Sequence, residues 1–121
     1  MNDSDSYYAK VHHLVRTIPY GKVSTYGTIA EKLGSRISAR MVGYALHQAA
    51  GSDVPCHRVV NRYGALTGKI HFSHPNLMKD LLLKEGVRFK DDDTVDLQQH
   101  FYDFRVVSKT SRNTSLKKKK K

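Results

Sequence analysis

The pattern that most restricts the fold lies between residues 24 and 51, where two apolar stripes at helical spacing flank one short glycine-containing turn. In the first stripe Ile29, Ala30 and Leu33 follow Ser24, the expected N-cap, and Gly34 stands at the stop position. In the second, Met41, Val42, Ala45, Leu46 and Ala49 keep the helical period after Ser38, another expected N-cap, and the helix is expected to end near Gly51. Two short helices joined this way fit a helix-turn-helix, whose second helix enters a nucleic-acid groove by its N-terminal part. On spacing alone a plain helical hairpin with an exposed arginine is the favoured reading. In the first case Ser38, Ala39 and Arg40 face the groove, and the small residues Ala39, Gly43 and Ala45 permit close backbone approach.

The remaining chain is read around this pair. Tyr7, Tyr8, Val11, Leu14, Val15 and Ile18 predict a preceding helix, capped by Ser4 or Ser6 and ended by Pro19-Tyr20-Gly21. "HRVVNRYGALTG" holds a β-prone run and a turn, and predicts a small hairpin or wing. Between Pro75 and Glu85, Leu77, Met78, Leu81 and Leu82 predict another helix, stopped by Gly86. "VRFKDDDTVDLQQHFYDF" reads as a strand, an acidic turn and a last ordered segment. From Ser108 onward apolar periodicity is lost. The expected architecture is one domain over residues 1–107, mainly α with a small β wing and winged helix-turn-helix-like. A disordered basic tail is expected over 108–121.

The formal net charge of +10 is concentrated. The tail holds seven Lys/Arg and no acid, and setting it aside leaves 14 basic against 11 acidic residues, a net of +3. Residues 16–69 carry eight Lys/Arg against Glu31 and Asp53, whereas residues 80–104 carry seven acids against three bases. A polyanion partner fits the basic stretch, and so does ordinary surface scatter. The terminal lysines would raise nonspecific DNA affinity. A single cysteine excludes an internal disulfide and points to a reducing compartment. No apolar run approaches membrane-spanning length, and the N-terminus does not read as a signal peptide. The expectation is a cytoplasmic monomer, nucleoid-associated in a bacterium or nuclear in a eukaryote.

That single cysteine, Cys56, stands in "DVPCHRVVN", after Pro55 and before His57 and Arg58. A thiol reacts as thiolate, so a reactive cysteine needs a base or a positive environment. In extended backbone Cys56 and His57 would point apart, so a turn or a bridging water is needed, and a third group, expected to be a carboxylate, should orient the imidazole. A buried structural cysteine is the alternative. The pairs His12-His13 and His71-x-x-His74 lack supporting ligands and read as surface residues, so no metal site is expected.

Pro55-Cys56-His57-Arg58-Val59-Val60 resembles the active-site motif of the O6-alkylguanine-DNA alkyltransferases. "IPYGKVSTYGTIAEKLG", "SARMVGYAL" and "LLLKEGV" resemble that family's helix-entry segment, DNA-recognition helix and closing helix, so the likeness runs from residue 7 to about 104. The resemblance implies a helical winged helix-turn-helix domain that binds double-stranded DNA containing O6-alkylguanine and extrudes the modified base. It implies that Cys56 accepts the alkyl group irreversibly, that His57 takes the thiol proton through a water, and that Glu85 orients His57. Arg40 would fill the gap left in the stack, and Tyr26 would contact and rotate the phosphate of the extruded nucleotide. Ser38, Arg58 and Lys69 complete the expected DNA-contacting set, and no cofactor is implied. The chemistry agrees: a base inside a duplex is out of reach of in-line attack, and a wedge offsets part of the unstacking cost.

Three departures from the family pattern stand out. Ala49 stands near the position where active members have an asparagine that fixes the active-site segment. Lys69-Ile70-His71-Phe72 replaces their Tyr-Ser-Gly-Gly lid. The ending "VDLQQHFYDF" is more similar to the alkyltransferase-like proteins, which carry tryptophan for the cysteine, bind the lesion without transfer and hand it to nucleotide excision repair. In those proteins a cation near the position of Lys69 senses the base. The cysteine favours single-turnover transfer, the reading preferred on sequence. The lid and the missing asparagine favour a lesion-binding protein. A winged-helix regulator that retains a thiol is a third reading.

Overall fold

The computed structural model describes residues 3–104 and, of residues 3–6, 70 and 71, the backbone alone. The basic tail lies outside the described residues. Helix α1 spans Asp3–Arg16, α2 Tyr26–Leu33, α3 Ala39–Gln48, α4 Leu77–Lys84 and α5 Leu97–His100. The strands are short: β1 Ser24–Thr25, β2 Val59–Val60, β3 Phe89–Asp91 and β4 Thr94–Val95. Two 3-10 turns, Cys56–Arg58 and Thr67–His71, complete the order. The fold is mainly helical with small strands, as the sequence implied.

Helices α1, α2 and α3 bury their apolar stripes against one another. Val11, Val15, Ile18, Ile29, Val42, Ala45 and Leu46 form this first core, closed by Phe104. A second core gathers Val23, Val60, Leu66, Met78, Leu82, Val87 and Val95. The join is the parallel pair β1–β2, in register Ser24 to Val59 and Thr25 to Val60. Successive residues of a strand face opposite ways. Val59 therefore enters the first core and Val60 the second, and the Cys56–Arg58 turn leading into β2 is held by both.

Four local expectations are corrected. Thr25, not Ser24, caps α2: its Oγ1 accepts from the Thr28 N–H at 3.1 Å, while Ser24 is fully buried in β1, its hydroxyl without a partner among the described residues. Pairing with β2 draws Ser24 out of the cap position. Helix α1 begins at Asp3, ahead of both serines expected to cap it. The wing is the antiparallel hairpin β3–β4, not residues 57–68, because Val59-Val60 find a closer partner in β1 and Ala65 only bridges to Thr94. His12 is no free surface residue: its Nε2 bonds the Ala45 carbonyl at 2.8 Å and ties α1 to α3. The Ser38 cap stands, with Oγ accepting from the Met41 N–H at 3.1 Å.

Candidate functional site

Cys56, His57 and Arg58 form one 3-10 turn. With three residues per turn, successive side chains splay about 120° apart, which supplies the turn that an extended chain could not. The thiol turns toward the end of α3, donating to the Leu46 carbonyl at 3.8 Å. Imidazole and guanidinium both turn to the end of α4. His57 Nε2 lies 2.7 Å from Glu85 Oε2, and Arg58 donates to the same carboxylate through Nε at 3.1 Å and Nη2 at 2.9 Å. The Gly21 N–H adds a further bond to Glu85 Oε1 at 2.8 Å. Gly21 holds φ +84 in the turn after α1, a left-handed conformation that a side chain would strain. Arg58 Nη1 meanwhile donates to the Ile18 carbonyl at 2.9 Å, and its guanidinium lies 5.7 Å from the Tyr20 ring centre.

A carboxylate at a helix C-terminus opposes the helix dipole, so Glu85 needs these donors. Its side chain is 5% exposed. Burial alone would raise its pKa, but the bonds from Arg58, Gly21 and His57 outweigh burial and hold it below its ordinary value. Burial pushes the His57 imidazole below its ordinary value, against the pull of Glu85. At neutral pH the ring is therefore uncharged, and its contact with Glu85 is a hydrogen bond rather than an ion pair. An ionised carboxylate only accepts, so Nε2 carries the proton and Nδ1 is left as an acceptor. Burial also pushes the Cys56 thiol up to about 11.

A cavity of ≈ 670 Å³ opens in front of this turn. Tyr26 at the start of α2, Leu46 on α3, Cys56, His57, Gly68 and Phe72 line it, and Leu77 and Leu81 of α4 close one side. Such a volume lies within the range of small-molecule sites. Lys69 flanks Gly68 and pairs with Asp93, in the turn of the β3–β4 wing, at 2.8 Å, both side chains being about half exposed.

The structure thus brings Tyr26, Cys56, His57, Arg58 and Glu85 together, with Lys69 beside them. Ser38 and Arg40 stand exposed at the start of α3. Arg58 does not face outward as a DNA contact would: its guanidinium is turned inward to Glu85, and its side chain is 16% exposed. Ala49, near the position of the expected asparagine, is buried and caps α3 through its backbone. Ser52 helps hold the following segment instead, its N–H bonding the Ala49 carbonyl at 2.9 Å and its Oγ accepting from the Val54 N–H at 3.2 Å. Asp93 and Gly68 were not legible as site residues. An acidic turn opposite an isolated lysine was the one available signal for Asp93.

Comparison with known proteins places this geometry. Residues 6–87 match the family model of the 6-O-methylguanine DNA methyltransferase, DNA binding domain. The DNA base-flipping protein of Escherichia coli is 37% identical over 107 residues, 86% of this chain and 80% of its own length. Alkyltransferase-like protein 1 of Schizosaccharomyces pombe is 44% identical over 84 residues, 69% of this chain and 78% of its own. The crystal structure of that yeast protein in complex with damaged DNA containing O6-carboxymethylguanine superposes with a TM-score of 0.71 at 36% identity, covering 85% of this chain and 99% of that one. A methylated-DNA–protein-cysteine methyltransferase from Mycolicibacterium paratuberculosis matches over a shorter stretch, 47% identical over 60 residues, 49% of this chain and 36% of its own. The chain belongs to the 6-O-methylguanine DNA methyltransferase family, through that family's DNA-binding domain.

Proposed function

We propose that the protein recognises O6-alkylguanine in duplex DNA by turning the modified nucleotide out of the stack and holding it in the cavity, marking the lesion for repair factors such as those of nucleotide excision repair. The observation that carries this reading is the cavity's place at the C-terminal end of α3, the helix whose exposed N-terminus carries Arg40. Arg40 is then the wedge that fills the vacated stack, Tyr26 the wall against the nucleotide's backbone, and Lys69 the cation at the rim that senses the base. The relatives that match over most of the chain, a base-flipping protein and an alkyltransferase-like protein, support binding over transfer. This reverses the order in which the sequence ranked the two readings. The thiol favours it too. Pushed up to about 11 by burial and turned to the Leu46 carbonyl, Cys56 is held as the neutral thiol at neutral pH.

One observation keeps a second reading in view: the uncharged His57, oriented by Glu85 with Nδ1 as acceptor, is a competent base. In that reading Sγ bonds to the alkyl carbon as the carbon–O6 bond breaks. The electron pair stays on the guanine, and the thiol proton, passed through water and His57, ends there too, so nothing else is consumed. Each protein would act once.

The test is affinity for a duplex with one O6-methylguanine against the same duplex with guanine, across salt. The expected result is a clear lesion preference, with total affinity falling as salt rises. Arg40→Ala should weaken duplex binding by about tenfold or more, the size of a lost wedge, and leave binding of the free modified base nearly unchanged. Equal affinity for both duplexes, or equal loss on duplex and free base, contradicts the reading.

A further inference from the structure

Gly68 is buried at the cavity wall, yet its backbone does not require glycine, since it is absent from the positive-φ positions. What it does require is space. A methyl group on its Cα would lie 2.7 Å from the Tyr26 hydroxyl, closer than real Cβ contacts come. Tyr26 is not free to retreat at its base, because it opens α2 directly after the Thr25 cap and its ring packs on the first core. Its hydroxyl reaches the backbone of the Thr67–His71 turn at Gly68, and the ring shares the cavity wall with Cys56. The phenol is thus seated between the thiol and the 3-10 turn Thr67–His71 that carries Lys69, and the bare Cα of residue 68 makes the seat.

We propose that Gly68 is a positioning residue: it lets the Tyr26 hydroxyl rest on the turn that carries Lys69, and so sets the distance between the wall and the rim of the cavity. The functional weight of this contact rests on the lesion-binding reading; the contact itself does not. A methyl at residue 68 collides only with the far end of a side chain, so it displaces the phenol and leaves the fold intact. That separates positioning from a general structural role.

The experiment compares wild type, Gly68→Ala, Tyr26→Phe and the double variant. Three readouts are needed: thermal midpoint, the NMR ring signals of labelled tyrosine in the free protein (Tyr26 assigned from Tyr26→Phe), and preference for O6-methylguanine duplex. Gly68→Ala should move the Tyr26 signal, leave the midpoint unchanged and lower lesion preference about tenfold, within the range for directly coupled residues. With the hydroxyl removed by Tyr26→Phe, adding Gly68→Ala should cost nothing more. An unmoved Tyr26 signal in Gly68→Ala, or an equal loss of preference with and without the hydroxyl, overturns the proposal. A wild-type protein with no lesion preference overturns the lesion-binding reading instead, and the ring signal still decides the contact.

Discussion

Charges are paired behind the cavity's His57-Arg58 lining, its floor, and beside its Gly68 wall, its rim, and the two pairings are built differently. At the floor, Glu85 is 5% exposed and gathers donors from Gly21, His57 and Arg58, drawn from two separated stretches of chain. At the rim, Lys69 and Asp93 share one contact between half-exposed side chains. Water screens the rim pair and leaves each partner content alone. The floor cluster has no such alternative, because a buried charge deprived of its partner is costly. The floor is therefore a structural joint that also orients the imidazole. The rim is a cation held loosely enough to change partners, as the proposed lesion-binding role of Lys69 requires.

That contrast breaks first at Glu85. Glu85→Ala strands Arg58 in a site it cannot leave without losing the Ile18 carbonyl, and should destabilise the protein by about 3–5 kcal/mol, as measured by denaturant or thermal unfolding. A midpoint within error of wild type would make the floor equivalent to the rim. Next in size is Lys69→Met, which should reduce lesion preference by about three- to thirtyfold, the range for a cation on an aromatic face, and leave the unfolding midpoint unchanged. A fall in stability instead would make Lys69 structural.

Acid sharpens the comparison further. His57 is held below its ordinary value of 6.5, so as pH falls the unfolded chain takes up this proton first, and stability should decline from about 6.5 downward. Glu85 is also depressed, so its contribution is present above its ordinary value of 4.5 and lost as pH falls through its folded value. The two act in the same direction. In His57→Gln the decline beginning near 6.5 should disappear and the lower one remain; persistence of both would remove His57 from the floor's titration. The smallest effect belongs to Asp93→Asn, which should leave the unfolding curve unmoved.

Much of the helical frame was legible because helical periodicity and caps are local. The stripes of α2, α3 and α4, the Ser38 cap and the Gly86 stop needed nothing beyond neighbouring residues. The strand and acidic turn after Gly86 were legible too, but the β1–β2 pair was not: Val59-Val60 read as half of a hairpin because their true partner, Ser24-Thr25, lies more than thirty residues earlier and carries no apolar run. The same pairing moved the α2 cap to Thr25. In the site, Cys56, His57 and Arg58 were visible as a contiguous motif, but the inward turn of Arg58 depends on where α4 ends, which no local pattern states. Glu85 entered through the family resemblance. Asp93 and Gly68 belong to the site only because the wing and the second 3-10 turn fold back against it.

The central claim is that this cavity holds the lesion without removing it, and intact mass spectrometry tests it most directly. The protein is incubated with a duplex carrying one O6-methylguanine under conditions where binding is saturated, then weighed. The account predicts an unchanged protein mass, selective binding of that duplex, and the same selectivity in Cys56→Ala. A gain of one methyl group mapping to Cys56 would contradict it and make the protein a self-inactivating transferase.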